Sequence, residues 1–345
     1  MLTNIRNRTL LAVILPLLMA EFSFAQAPVG TRASGMAGAF VAVADDATAV
    51  YWNPAGIATG SFVSLAVDFG RHSIVPKTPQ TSAGQRDTAT MVALSATAIG
   101  LAYYRIETYG TGAANPAVTS LPSREEVRRS VHALTTSTVG VSLVQSIGDH
   151  IVVGATPKFM RGSARRGMSG SLDLHDALDA AKGLDGPASY AFDIDAGAMV
   201  TANHVRLGVV ARNLATPAFA TRTDRAGAGG GQDEIELDRE VRIGAAWGSA
   251  WPGLSRVIVS MDGDVTSRAT LAGDRRDVAA GVETWWRNQR LGLRGGVRSS
   301  TIGDARAAVA AGISAGMTSG ILLEAHVVRG QGGERSWSVG ARMSF

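Results

Sequence analysis

Six histidines, a scatter of carboxylates and not one cysteine are the groups in this 345-residue chain that could carry chemistry. The histidines are His72, His132, His150, His175, His204 and His326. None stands at i, i+4 to another histidine or beside a partner set that would hold zinc, and without thiolates a cysteine-based metal site or disulfide framework is excluded. The stretch from Gly167 to Ser171 loosely resembles a nucleophile elbow around Ser169, but it lacks the glycine two residues after the serine and the strand–turn–helix setting. The glycine-rich run 226–231 precedes no helix, so it does not cradle phosphate. These residues predict no catalytic site, no metal and no cofactor, and the chain does not read as an enzyme.

The charges make sense once the elements that position them are traced. Period-two alternation predicts fourteen strands, at 61–71, 88–96, 98–107, 130–147, 150–161, 188–200, 203–213, 238–249, 255–266, 276–287, 289–299, 305–317, 320–330 and 335–345. In 276–287, Val278, Ala280, Val282, Thr284 and Trp286 share one face, while Asp277, Glu283 and Trp285 share the other. Lys158, Asp193, Asp195, Arg206, Arg242, Asp262, Asp264, Glu283, Arg294, Glu324 and Arg342 all fall opposite the apolar face. In a barrel that spans a bilayer, a lysine or arginine facing lipid at mid-depth costs about 2–4 kcal/mol. Turned inward, these groups pair with one another and with water, a structural role rather than a catalytic one. Connections tend to alternate long and short, with short turns at Thr97, Gly148-Asp149, Thr201-Ala202, Asn288 and Thr318-Ser319. That alternation, and an even strand count, fit an up-and-down transmembrane β-barrel better than a Greek-key sandwich. Trp247, Trp251, Trp285, Trp286, Trp337, Tyr103 and Tyr104 fall toward strand ends or turns, where interfacial aromatics belong, with Trp285 the exception in facing inward.

The two ends of the sequence predict where such a barrel goes. Residues 1–25 carry Arg6 and Arg8, an apolar run from Leu10 to Ala20 and the small-x-small pattern Ser23-Phe24-Ala25. This reads as a secretory signal peptide cleaved after Ala25, with Ala27 the alternative. The final strand alternates strictly and ends on Phe345, with Trp337 on the same face, a pattern similar to the signal that barrel-assembly machinery reads. With 41 glycines and a net charge of +4, no later stretch approaches a transmembrane helix and nothing points to a nucleic-acid partner. The expected address is the bacterial outer membrane, with its lipid as the surrounding partner.

Residues 26–60 do not alternate. Asp45 or Asp46 can cap a short helix ending at Trp52. Asn53 can cap the next turn, with Pro54 at its favoured first position and Ala55-Gly56 following. Fourteen strands enclose more space than the eight whose side chains fill a barrel, so this compact small-residue segment is expected to plug the lumen. The expected division is thus 1–25 signal peptide, 26–60 plug and 61–345 barrel.

The string from Gly35 to Ile57 resembles the N-terminal signature of the FadL-like outer-membrane superfamily, and is most similar to its PorV/PorQ-type branch. Ile147 to Phe159, with Lys158 on its second strand, and Leu207 to Pro217 resemble further segments of that family. The resemblance implies an all-β, fourteen-stranded barrel holding an N-terminal hatch. It implies transport of small hydrophobic molecules, long-chain fatty acid-like or aromatic, across the outer membrane. In the PorV-type branch it implies instead service to protein secretion, with exported partners bound through outer loops such as 162–187 and 214–237. A loop helix from Ser171 to Gly183 would, in the first reading, help form an apolar groove on the outer side. The pre-barrel segment is shorter than in the fatty-acid channels. Gly244, Gly281, Gly295-Gly296 and Gly312 are candidates for a strand kink.

Overall fold

A computed structural model describes residues 29–76, 82–112, 129–171, 173–223, 233–251, 254–270, 274–286, 290–303, 306–318 and 320–345. Residues 1–25, expected to be a signal peptide, Leu172 and the glycine-rich run 226–231 lie outside the described residues.

Sixteen strands follow the plug: β1 (Val63–Ile74), β2 (Gly84–Ala96), β3 (Ile99–Thr111), β4 (Arg129–Ile147), β5 (Ile151–Ser169), β6 (Ala188–Ala202), β7 (Val205–Arg212), β8 (Ala218–Thr223), β9 (Asp233–Glu236), β10 (Glu240–Trp251), β11 (Leu254–Asp264), β12 (Asp277–Trp286), β13 (Leu291–Ser300), β14 (Ala307–Thr318), β15 (Ile321–Gly330) and β16 (Glu334–Ser344). Each barrel strand pairs antiparallel with its sequence neighbours. The β1–β16 and β4–β5 pairings complete the ring, leaving β8 and β9 as an appended hairpin and fourteen strands in a closed barrel. Closure leaves no free sheet edge, which is what allows strands to cross hydrocarbon with every backbone group paired.

Alternation along the strands sorts the wall into two surfaces. Val67, Val92, Leu101, Val139, Phe159, Leu207, Ile243, Met261, Val282, Leu293, Val309 and Val339 are exposed on the outside. An apolar exterior of this extent would be a liability in water and is at home in lipid. The alternate residues point inward and are mostly buried.

The strands depart from the sequence reading in three places. The turn expected at Thr201-Ala202 lies at Asn203-His204, because Asn203 takes a left-handed backbone at φ 53°, a conformation asparagine tolerates. β5 runs on to Ser169 in register with an equally extended β4. The region 214–237, expected as a loop, contains the β8–β9 hairpin, whose first strand pairs parallel with Ala164–Arg166 of β5. Phe219, Ile235 and Leu237 from this region bury against Leu134, Met160 and Ala164 on the inner face of the wall. That long-range burial has no local signature.

Candidate functional site: the plug and its seat

Residues 29–60 lie in the lumen as three short turns: α1 (Thr31–Gly35), α2 (Ala49–Trp52) and a 3-10 turn (Pro54–Thr59). The segment has its own small core. Phe40 and Tyr51 meet Trp52 edge-on at 5.9 and 5.7 Å, and the Trp52 indole donates to the Val29 carbonyl at 2.8 Å. Asp46 accepts from the Thr48 amide at 2.9 Å and from its hydroxyl at 2.5 Å, bracing the entry into α2. Asn53 accepts from the Ala55 amide at 3.2 Å with Pro54 opening the turn, and its side-chain amide donates to the Val41 and Ala198 carbonyls. Asn53 therefore ties the plug to itself and to β6.

The first half of the plug is held by charge. Arg32, 2 % exposed, donates to both oxygens of Glu283 at 2.8 and 2.6 Å, to Asp45 at 2.5 Å and to Asp46 at 2.9 Å. Asp46 continues to Arg342 at 3.2 Å, and Arg342 and Arg294 share Glu324 at 3.2 and 3.0 Å. Arg294 also approaches Glu283 at 3.3 Å. Trp285 faces inward because the guanidiniums of Arg294 and Arg342 lie 5.8 and 5.7 Å from its ring, a contact an indole face favours. Asp262 accepts from the Phe40 and Val41 amides at 2.7 and 2.8 Å, and Asp68 from the Thr31 amide at 2.9 Å. Burial pushes the Arg32 guanidinium down, but Asp45 and Glu283 outweigh it and hold it firmly charged. Burial likewise raises the Asp45 carboxyl, and Arg32, Arg256 and Arg206 together pull it well below the usual carboxylate range.

The second half is held by close approach. A Cβ at Gly154 on β5 would lie 2.8 Å from the Ala55 nitrogen and the Pro54 carbonyl carbon, and one at Gly197 on β6 would enter the Asn53 side chain. Only glycine leaves the wall flat enough for the 3-10 turn to lie on it. Four of the five candidate kink glycines do similar work on the other side: Gly244 faces Val41, Gly281 and Gly296 face Met36, and Gly312 faces Gly35, whereas a Cβ at Gly295 would meet only the Ala310 carbonyl at 3.7 Å. Their strands pair there in unbroken register.

The remaining inward charges form separate wall networks. Lys158 pairs with Asp193 and Asp195, each at 2.8 Å. Arg242 approaches Asp264 at 3.4 Å and Asp262 at 3.7 Å. Arg206 stays partly exposed. Towards the long-loop end, His72 sits between Asp87 at 2.8 Å and Glu334 at 3.0 Å, and Arg298 pairs with Glu334. Sequence reasoning missed this cluster, and it missed Arg32; the one signal for Arg32 is a lone cation in a small-residue segment.

Two aromatic and loop expectations change. Tyr104 is buried inside, edge-on to Tyr51 at 5.5 Å, rather than at an interface. Tyr103, Trp247, Trp337 and Phe345 are exposed outside. The loop helix α3 (Leu174–Lys182) is capped by Asp173, which accepts from the His175 and Asp176 amides. Its apolar residues Leu174, Ala177, Leu178 and Ala181 are all buried, with Ala177 and Ala181 against Val131 and Tyr109. It covers the wall rather than opening a groove. Towards the long-loop end, two cavities beside the plug hold about 30 and 70 Å3, and the larger of the two is lined by Arg212, Arg242, Arg268, Arg275, Arg298 and Glu334. Among the described residues no group of three or more His, Asp or Glu side chains is arranged to hold a metal ion.

Comparison with known proteins now places this barrel. A family profile described as "F plasmid transfer operon, TraF, protein" matches residues 76–264, more than half of the chain. The chain belongs to this family. The match covers the wall from the end of β1 to β11 and leaves out the plug. No curated protein sequence matches this TraF-family barrel. Its fold is nonetheless shared with solved FadL-like barrels. One is described as "CymD monoaromatic hydrocarbon channel", with TM-score 0.61, 12% identity, and coverage of 94% of this chain and 99% of that one. The toluene transporter TbuX of Ralstonia pickettii gives TM-score 0.58 at 13% identity, covering 92% and 98%. A FadL homologue of Pseudomonas aeruginosa gives 0.56 at 12%, covering 94% and 100%. The likeness is therefore one of architecture rather than of sequence.

Proposed function

We propose that the protein is an outer-membrane channel for small hydrophobic molecules, shut by its plug in the state described here. The observation that carries the reading is the near end-to-end likeness to barrels described as a hydrocarbon channel and a toluene transporter. The wall adds a physical reason. An apolar recess of about 910 Å3 lies across β6 to β14, lined by Val200, Leu207, Val209, Ile243, Met261 and Val297. At Gly208 and Gly244 in that recess, a Cβ would lie 2.9 Å from the Val41 carbonyl and 3.1 Å from the Val41 Cβ. Bare backbone thus separates lipid from the plug there. The charged, filled lumen means that passage requires the plug to move.

The test is uptake of toluene and of a long-chain fatty acid by cells that produce the protein, against cells that produce none, with a hydrophilic sugar as control. Faster entry of either hydrophobic compound alone is expected. Equal uptake at matched expression contradicts the reading. A second reading, a part in plasmid transfer, is favoured by the family match, and mating frequency in a deletion strain tests it. The secretion-linked, PorV-type alternative draws no support from the comparisons.

A further inference from the structure

The end of the barrel that carries the short turns holds a cavity of about 310 Å3 between plug and wall. Ala42 and Val43 of the plug and Ala246 and Ile258 of the wall give it an apolar side, and Arg206 and Arg256 stand on the other. Both arginines are partly exposed, at 25% and 32%. They share a single carboxylate. Arg256 donates once to Asp45, at 2.6 Å, and Arg206 stays 3.8 Å from the same oxygen. Among the described residues the Arg206 side chain makes no hydrogen bond. Asp45 already receives Arg32 at 2.5 Å. One carboxylate thus faces three guanidiniums, and Arg32 alone has further acids in Asp46 and Glu283. The uncompensated positive charge sits on Arg206 and Arg256, at the cavity.

Each guanidinium offers five N–H donors in a planar fork that matches a carboxylate. A charge-assisted pair at the edge of an apolar hollow suits a ligand with one anionic end and a compact hydrophobic body. The volume is at the small end of ligand pockets, which begin at about 300 Å3. We propose that this cavity binds a small organic monocarboxylate, with its carboxylate on Arg206 and Arg256 and its apolar body against Val43, Ala246 and Ile258. The site stands on its own geometry and does not depend on whether the barrel conducts.

Calorimetric titration of the full-length, detergent-solubilised protein tests it, with benzoate, benzyl alcohol and inorganic sulfate as probes. Saturable benzoate binding is expected, with the alcohol and sulfate weaker by about tenfold or more, the scale of one lost charge-assisted contact. R206Q and R256Q should each weaken benzoate by about the same factor. R206Q takes no hydrogen bond from the fold among the described residues. Gly248→Leu leaves both arginines in place and fills the hollow, since a Cβ there meets nothing nearer than 3.6 Å; it should abolish binding. Far-ultraviolet circular dichroism checks that each variant is folded. Benzyl alcohol binding as tightly as benzoate, sulfate binding as tightly, undiminished benzoate binding in Gly248→Leu, or no saturable benzoate binding would each overturn the proposal.

Discussion

Both halves of the plug lie on wall glycines, but only the first is also tied to the wall by ion pairs. Residues 31–46 meet β7, β11, β12 and β16 through ion pairs, and the Asp68 and Asp262 carboxylates of β1 and β11 through backbone amides, with Arg32 as the hub between Asp45, Asp46 and Glu283. Residues 49–59 meet β3–β7 through packing on glycine, with Asn53 bonded to the wall and no ion pair among the described residues. An ionic seat fails abruptly when one partner goes, because the charges left behind are buried. A packed seat fails in proportion to the atoms that no longer fit. The contrast teaches that the first half is the one a charge change can release.

The largest effect should come from that half. Arg32→Met leaves Glu283 and Asp46 buried short of a partner, and breaking such a set costs about 3–5 kcal/mol. Hydrogen exchange should show residues 31–46 losing protection while 49–59 retain theirs. Equal loss in both halves would erase the distinction. Gly154→Val tests the packed half: forcing a branched side chain into the Pro54–Ala55 backbone should cost about 1–3 kcal/mol, with exchange rising first over 53–59. Asn53→Ala strands the Val41 carbonyl and removes the bond to Ala198, a cost of about 1–3 kcal/mol. It touches both halves, so it should loosen both equally.

Acidity sharpens the comparison with a smaller effect. Asp45 has a folded pKa below its unfolded value, so its contribution is complete above the ordinary carboxylate value of about 4 and is lost only as pH falls toward the depressed one. Corrected for the intrinsic pH dependence of amide exchange, the difference in protection over 31–46 between the intact protein and Asp45→Asn should hold from neutral to mildly acidic pH and shrink only below about pH 4. A difference that vanishes already near neutral pH would mean that Asp45 is not the anchor. The smallest effect belongs to Asp173→Ala, which uncaps α3 at the long-loop end. It should fray the start of that helix in exchange measurements and leave the plug unchanged.

The wall was legible because lipid and lumen impose a strict two-residue period. The period alone separates Lys158, Asp193 and Glu324 from Phe159, Phe192 and Leu323, and it defines the faces even where boundaries shift. The turn at Asn53-Pro54 was legible because capping and proline geometry are local. Partner choice was not. Nothing near Arg32 in sequence indicates that its main acid is Glu283, 251 positions away. Nor does Tyr104 reveal that it sits over Tyr51, or Phe219 that it folds back onto the inner wall. The glycines were visible only as abundance, since what distinguishes Gly154 from its neighbours is the backbone of the plug pressed against it.

The central claim is that residues 29–60 close the barrel. Single-channel conductance in planar bilayers, comparing the intact protein with one lacking residues 30–58, tests it most directly. The account predicts a closed or weakly flickering intact channel and a stable open pore once the segment is gone. Unchanged conductance in the deletion would contradict it.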